Sequence, residues 1–351
     1  MATDDPTVRD QFRQFFALER DVLVLSLAMF AFSLGFQMTN RYLPEYLVAL
    51  GASGFVVGLF GTVGNVISAV YPYPGGALSD RLGSRYALTL FGLLSTVGFA
   101  IWLVAPAIGS FSVAGVTVQP WLWIFVGLLF AQAWKSFGLG ATFAVVKQAT
   151  DPSKLAAGFA STETFRRSAF FAGPVLAAVL IELHPAFTVS FRYVLAVGVV
   201  GGAVGTVVQH VLYDASEDTL GSSFAGLEQV RADLREMPSE LRPLLIGDTL
   251  VRFANGMVYV FFVLVVTRFY EIGFDATVSF GGDTYAVSVS PAAFFGYLLG
   301  VEMLIALLTM VPAAKVAERV GLKPIVSLGF LVYGAFPVVL IYGPDLLAPA
   351  V

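Results

Sequence analysis

The chain has 351 residues, of which 57% are hydrophobic and only 13% are charged, and its formal net charge is −4 at pH 7. Water-soluble domains carry about 25% charged residues, so this composition excludes an ordinary soluble globule. The acidic balance disfavours nucleic-acid binding. Because the chain has no cysteine, disulfides, thiolate nucleophiles and zinc–thiolate centres are also excluded.

Long apolar segments follow one another along the chain. A helix needs about 20 mostly apolar residues to cross a bilayer core, and we interpret nine segments as membrane spans, numbered in chain order. They are residues 22–36 with an extension toward Leu50, 55–71, 87–105, 121–146, 156–183, 193–212, 244–267, 292–311 and 325–342. Residues 346–351 resemble the start of a tenth. The pattern predicts an all-α polytopic protein, monomeric and surrounded by membrane lipid.

The basic residues predict how these spans are oriented, because Lys and Arg are enriched in cytoplasmic loops. With the N-terminus in the cytoplasm, most of the basic residues fall on the inner side. The outer side then holds little more than Arg41, Arg192 and Arg268. Residues 1–21 contain several acidic side chains, which a cleaved secretory signal does not. We therefore predict a multi-pass protein of the cell membrane with a cytoplasmic N-terminus.

The connections between spans have patterns of their own. Residues 111–120 and 277–291 alternate β-branched or aromatic residues with small polar ones around glycine, which predicts two short external hairpins. Each hairpin is either a structural cap over a helix pair or a gate for a substrate. The inner connection at 214–243 has apolar residues at three- and four-residue spacing, which predicts an amphipathic helix on the membrane surface.

One sequence motif occurs twice. The segment PGGALSDRLGSR at 74–85 aligns without gaps with PAAKVAERVGLK at 312–323, and each copy ends an apolar span and precedes another. The residues that carry the motif are Gly76, Asp80, Arg81, Gly83 and Arg85 in the first copy, and Glu318, Arg319, Gly321 and Lys323 in the second. Two copies at equivalent positions indicate duplicated halves, an arrangement known in secondary transporters.

The first copy resembles the signature loop between helices 2 and 3 of the major facilitator superfamily, and the second lies where that family places its equivalent loop. The resemblance implies a two-bundle fold, with a complete six-helix N-terminal bundle at 1–213 and a cytoplasmic linker at 214–243. An incomplete C-terminal bundle follows at 244–351, with helices 7–9 and the start of helix 10. Family members have twelve spans, so we expect the chain to be truncated.

The first motif has two physical interpretations. Gly83 permits a positive φ for a tight reversal, and Asp80 can pair with Arg81 or Arg85 or face the N-terminus of a neighbouring helix. Contacts of this kind form a conformational latch if they break when two bundles rock against each other. The resemblance implies such a latch, and the alternative is a turn that only fixes topology.

Charged residues inside spans are costly, so each one indicates a cavity or a partner. Lys135 in span four is a candidate for proton relay or anion binding, or for a structural pair. Glu302 in span eight is the best candidate for a protonatable carboxylate, with a neutral core residue as the alternative. In span five, Glu163 has Arg166 and Arg167 at i,i+3 and i,i+4, which predicts one ion pair and one free arginine.

Weaker candidates complete the set. The i,i+4 pairs Asp248–Arg252 and Arg41–Glu45 are predicted to be structural. Four polar residues within spans are predicted to line a polar cavity, namely Gln37, Asn40, Gln132 and Asn255. Gly173 and Pro174 in span five resemble the Gly-Pro of proton-coupled exporters in the same superfamily, and an ordinary packing seam is the alternative.

Together these features favour a secondary active transporter of a small molecule that works by alternating access, with a proton gradient as energy source and no cofactor or metal. The first expectation is efflux of an apolar or amphipathic compound. The first alternative is an importer of a small organic anion or nutrient, using Lys135 and Arg166 or Arg167. The second is a non-transporting membrane scaffold or relic. Paired histidines and an Asp-rich metal motif are both lacking, which disfavours a membrane-embedded enzyme.

Overall fold

We describe a computed structural model of the chain, which places residues 20–113, 115–138, 155–213, 231, 235–239, 241–280 and 283–347. Within these residues, seven helices are long and apolar enough to cross a membrane. They are Val22–Thr39, Ser84–Ile108, Thr162–Ile181, Phe187–Leu212, Leu241–Phe269, Pro291–Met310 and Leu322–Gly343. Gly54–Val70 and Leu122–Ser136 are shorter apolar helices. Each of the nine predicted spans therefore overlaps a helix.

The elements follow in chain order. The helices before the first hairpin are α1 (Arg20–Thr39), α2 (Leu43–Ala49), α3 (Gly54–Val70), α4 (Pro72–Leu82) and α5 (Ser84–Ile108). Strands β1 (Phe111–Val113) and β2 (Val116–Val118) precede α6 (Leu122–Ala133), a π-helical turn (Trp134–Gly138), α7 (Leu155–Ile181) and α8 (Phe187–Leu212). Then come α9 (Leu241–Tyr259), α10 (Phe262–Leu264), a second π-helical turn (Val265–Phe269), β3 (Phe274–Phe280), β4 (Asp283–Val289), α11 (Pro291–Val320) and α12 (Leu322–Leu347).

Both predicted hairpins are present. Strands β1 and β2 pair antiparallel with Phe111 opposite Val118, and β3 and β4 pair antiparallel with Phe274 opposite Val289. Each hairpin joins the end of one span to the start of the next, so both lie at the same end of the helices. We call this end the hairpin end.

The repeated motif is helical for most of its length, which corrects its interpretation as a loop. Helix α4 begins directly after Tyr71, with prolines in its first turn, where a missing N–H costs nothing. It continues to Leu82, and the chain reverses only at Gly83 before α5. The second copy is likewise the last part of α11, with its reversal at Gly321.

The core forms where the spans pack together. Helix α1 packs against α7 and α8, and α5 packs against α6 and α8. Large side chains such as Phe32, Phe99, Trp102 and Phe191 are buried between these helices. Helix α11 packs against α7 and α12, so span eight contacts span five across the predicted boundary between halves.

Some predictions fall outside the described residues. The N-terminal segment 1–19 and most of the predicted amphipathic helix at 214–243 lie there, as do residues 348–351. Leu346 and Leu347, predicted to begin a tenth span, still belong to α12. The division into bundles at 1–213 and 244–351 stays a prediction.

Candidate functional site

A cavity of about 210 Å³, lined by both polar and aromatic residues, lies between five spans. Its walls come from spans one, two and four on one side and from spans seven and eight on the other. The lining residues are Asn40, Arg41, Pro44, Phe60, Gly61, Gly64, Asn65, Ser68, Leu128, Gln132, Lys135, Gly256, Tyr259, Val260, Phe262, Val263 and Phe295. The cavity therefore lies between the two predicted halves, where secondary transporters place their substrate site.

Two cationic side chains face this cavity. They are Arg41, just after α1, and Lys135, in the π-helical turn of span four, and no acidic residue is among the described residues that line it. The two charges are close enough to repel each other. Two cations at one cavity attract an anion, and the attraction grows as the local dielectric constant falls.

The position of Lys135 depends on a buried serine in the neighbouring span. The Ser95 hydroxyl donates to the carbonyl of Ala131 at 2.7 Å and accepts from the amide of Trp134 at 2.8 Å. These bonds satisfy backbone groups at the point where α6 changes into the π-helical turn, a change that is frequent at functional sites. The Trp134 ring stacks on Phe32 with 4.4 Å between centroids, which fixes the turn against span one.

Arg41 is held by an aromatic ring and not by the acid that the sequence predicted. Its guanidinium carbon lies 4.1 Å from the centroid of Tyr259, a cation–π geometry. Glu45, its predicted partner, binds Arg268 instead, with 2.9 Å between Oε1 and Nε. The other carboxylate oxygen accepts from the Thr267 hydroxyl at 2.8 Å. The predicted Arg41–Glu45 pair is therefore wrong, and Glu45 connects span one to span seven.

Glu302 lies outside the cavity wall but next to one of its residues. Its carboxylate interacts electrostatically with the Tyr259 side chain, whose ring also carries Arg41 on its face. The side chain of Glu302 is exposed. Tyr259 is thus the residue that connects the predicted protonatable group with a cavity cation.

The cavity also contains an unpaired polar atom. Gln132 is only 6% exposed, and its Oε1 makes no hydrogen bond to any residue that the structure describes. A buried acceptor without a donor costs free energy. A ligand that carries an N–H or O–H group would satisfy it. Asn40 also lines the cavity, as predicted, whereas Gln37 contacts Gly173 of span five.

The charged cluster in span five differs from its prediction. Arg166 binds Glu163 with Nη2–Oε1 at 2.6 Å and Nε–Oε2 at 2.8 Å, and Arg167 binds the same Oε1 at 2.8 Å. Neither arginine is therefore free, which corrects the prediction of one unpaired cation. Arg167 also contacts the sulfur of Met310 in span eight at 3.2 Å. None of these residues lines the cavity.

The remaining candidates lie elsewhere. Asp248 and Arg252 form the predicted ion pair, with 2.7 Å between Oδ2 and Nε. Arg85 donates from Nε to the carbonyl of His210 at 2.8 Å, at the end of α8. Arg81 and four residues of the second motif, namely Glu318, Arg319, Gly321 and Lys323, are exposed. The side chains of Asp80 and Asn255, and the surroundings of Gly76, lie outside the described part of the chain.

Sequence reasoning missed several cavity residues. Asn65 and Ser68 of span two lie on one face with Gly61 and Gly64, at spacings of three and four residues. Polar and small residues at that spacing in an apolar helix indicate a face that avoids lipid, so the pattern was detectable. Tyr259 had no such signal, because aromatic residues are common throughout spans.

Comparison with known proteins fits this arrangement. The profile of the Major Facilitator Superfamily matches residues 25–350. The chain belongs to the major facilitator superfamily. Within it, the chain is 30% identical over 176 residues to an uncharacterized MFS-type transporter of Mycobacterium tuberculosis, found in strains CDC 1551 / Oshkosh and H37Rv. The match covers 50% of the chain and 39% of the relative, so most of that relative's length is unmatched.

Solved structures share the fold at low sequence identity. A peptide transporter POT in complex with alafosfalin has a TM-score of 0.55 and 15% identity, covering 88% of this chain and 70% of that one. A POT family transporter in complex with 5-aminolevulinic acid has a TM-score of 0.54 and 14% identity, covering 88% and 72%. These likenesses show a shared, mostly helical fold. The family match points to a transporter and not to an enzyme.

Proposed function

We propose that the chain is the substrate-binding part of a secondary active transporter that moves a small organic anion through the cavity by alternating access. The observation that carries the proposal is the pair Arg41 and Lys135 in a cavity whose lining, within the part of the chain that the structure describes, has no acidic residue. The substrate class is the one that the sequence analysis gave as its alternative. The cations that carry it are Arg41 and Lys135, because Arg166 and Arg167 are both bound to Glu163.

The rest of the cavity narrows the class of solute. Phe60, Phe262 and Phe295 give the cavity an aromatic wall, which favours a solute with an apolar part. The free acceptor of Gln132 favours a solute that also carries a hydrogen-bond donor. We therefore propose a small amphipathic anion with an N–H or O–H group.

For the energy source we propose a proton gradient that acts at Glu302. A carboxylate in a membrane span is the usual proton carrier in pumps and transporters, and Glu302 is a neighbour of Tyr259, which lines the cavity. For direction, the resemblance of Gly173 and Pro174 to exporters favours efflux, and import is the rival. Proteoliposomes with opposite pH gradients distinguish the two directions.

The test of the anion proposal is a binding measurement on the purified protein. Thermal stability is recorded with N-acetylalanine and with benzoate, two carboxylate anions, each next to its uncharged amide. We expect the acids to stabilise the protein, the amides to act weakly, and Arg41→Gln and Lys135→Gln each to weaken acid binding by about tenfold or more, as for a charge-assisted hydrogen bond. Arg242→Gln and Lys323→Gln, both exposed and outside the cavity, serve as matched controls. Equal stabilisation by acid and amide would contradict the proposal.

A further inference from the structure

Glu45 has two candidate arginine partners, Arg41 and Arg268, and it binds Arg268, the one farther away along the chain. Its carboxylate uses one oxygen for Arg268 at 2.9 Å and the other for Thr267 at 2.8 Å. The Glu45 side chain is 7% exposed, against 46% for Arg268. Removing a partner from a buried charge is costly, so the ionised carboxylate is most stable where a cation lies within reach.

Arg41 is the other cation within reach. It precedes Glu45 by four residues and lies in the turn between α1 and α2, where Tyr42 has αR geometry and its carbonyl accepts from the amide of Tyr46 at 2.9 Å. Side chains four residues apart come to the same face wherever such a segment is helical, so Arg41 can reach Glu45 if the first turn of α2 extends back to it. The Arg41 guanidinium instead lies on the ring of Tyr259 and faces the cavity. No ion pair within the described ranges includes Arg41.

The bond between Glu45 and Arg268 belongs to a set of contacts that close the hairpin end. The Tyr42 hydroxyl donates to the carbonyl of Ala292 at 2.9 Å, joining span one to span eight. Glu182, just after α7, accepts from the amide of Ser290 at 2.8 Å and from its hydroxyl at 2.6 Å. These contacts all join spans one to six with spans seven and eight. They separate together if the two groups of helices part at this end.

We infer that Glu45 exchanges partners during transport, binding Arg268 when the hairpin end is closed and Arg41 when it is open. The inference rests on the proposed function, because it assigns Arg41 alternately to the substrate and to Glu45. In the closed state Arg41 is available to the anionic group of the substrate. In the open state Arg41 is paired with Glu45, and an arriving anion must displace the Glu45 carboxylate.

The exchange couples the binding of substrate in the cavity to the closure of the hairpin end. An anion that takes Arg41 releases Glu45, which then requires Arg268 and draws spans one and seven together. A ligand shifts a conformational equilibrium only through its differential affinity for the two states, and the exchange supplies that difference. Glu45 is thus a positioning residue for the cavity and does not itself touch the substrate.

The exchange is testable by distance measurements without any substrate. The chain has no native cysteine, so Ala107→Cys on α5 and Ser288→Cys on β4, both exposed at the hairpin end, accept two spin labels uniquely. Double electron–electron resonance in lipid nanodiscs then reports the opening. We expect Arg268→Gln to raise the long-distance fraction by roughly fivefold, as loss of an ion pair with one partly exposed partner implies. Adding Arg41→Gln to Arg268→Gln should lower that fraction by at least about half, because the open state loses its replacement pair.

The controls distinguish the exchange from a Glu45–Arg268 bond that only holds the hairpin end closed. Arg252→Gln, which removes an exposed arginine from its pair with Asp248, should leave the fraction of the Arg268→Gln protein unchanged. Arg268→Lys retains the charge and should stay close to wild type. If Arg268→Gln does not fold, Arg41→Gln alone replaces it, because the open fraction of the otherwise wild-type protein should then fall. An unchanged or larger open fraction after adding Arg41→Gln would overturn the exchange. Because the labels report shape alone, this result is independent of whether anions bind the cavity.

Discussion

Gly83 and Gly321 have nearly the same backbone conformation, with φ 79° and ψ 153° at the first and φ 88° and ψ 161° at the second. Each residue ends one helix and stands directly before the next. A positive φ is easy for glycine and costly for other residues. The repeat found in the sequence is therefore also a repeat of structure at its two reversals.

The first prediction concerns these turns. Gly83→Ala and Gly321→Ala should each destabilise the protein by about 1 kcal/mol, because alanine is strained at that φ. Thermal unfolding in detergent measures the effect. Gly329→Ala is the matched control, since its position in α12 has a negative φ and open space around it. An equal loss in all three variants would contradict the conformational argument.

The second prediction concerns the contact between spans five and eight. A Cβ at Gly296 would meet the hydroxyl of Tyr42, and would lie 2.8 Å from the Pro174 carbonyl oxygen and 2.9 Å from the Ala178 Cβ. We expect Gly296→Leu to separate α11 from α7 and to destabilise the protein by about 1–3 kcal/mol, as overpacking does. Gly334→Leu, at a position with nothing within 4 Å, should leave thermal stability close to wild type.

The third prediction concerns the cluster in span five. Glu163→Gln leaves Arg166 and Arg167 without their shared carboxylate in a half-buried position. We expect a loss of about 1–2 kcal/mol after allowance for partial solvent screening. Asp248→Asn, which breaks a single and more exposed pair, should cost less than about 0.5 kcal/mol. Similar unfolding midpoints for the two variants would show that neither the burial of Glu163 nor its two arginine partners increases its contribution to stability.

The fourth prediction concerns proton coupling. Glu302→Gln should abolish transport driven by an imposed pH gradient while exchange of substrate between the two sides continues, because exchange needs no net proton movement. Both fluxes are measured in proteoliposomes with an anion identified by the binding test. Asp275→Asn, in the exposed strand β3, is the control. Undiminished gradient-driven transport in the glutamine variant would remove Glu302 from the proton path.

Part of the candidate site was predictable from the sequence. Lys135, Gln132 and Asn40 were selected as polar residues inside apolar spans, and all three line the cavity. They could be selected without knowing which helices pack together, because a polar group in lipid is costly in any arrangement of the helices. Partner choice was less predictable. The single pair foreseen for Glu163 became two, since its Oε1 accepts from Arg166 and Arg167 on the same helical face.

The sequence by itself determined the spans, both hairpins and the two reversals at glycine. These features follow from local hydrophobicity, alternation and backbone sterics, which act within a few residues. Only the tertiary structure decided that Glu45 binds Arg268, some 220 residues away along the chain, and that Tyr259 holds Arg41 beside the cavity. An ion pair or a ring contact depends on which helices become neighbours and how each is rotated, and no local pattern specifies either.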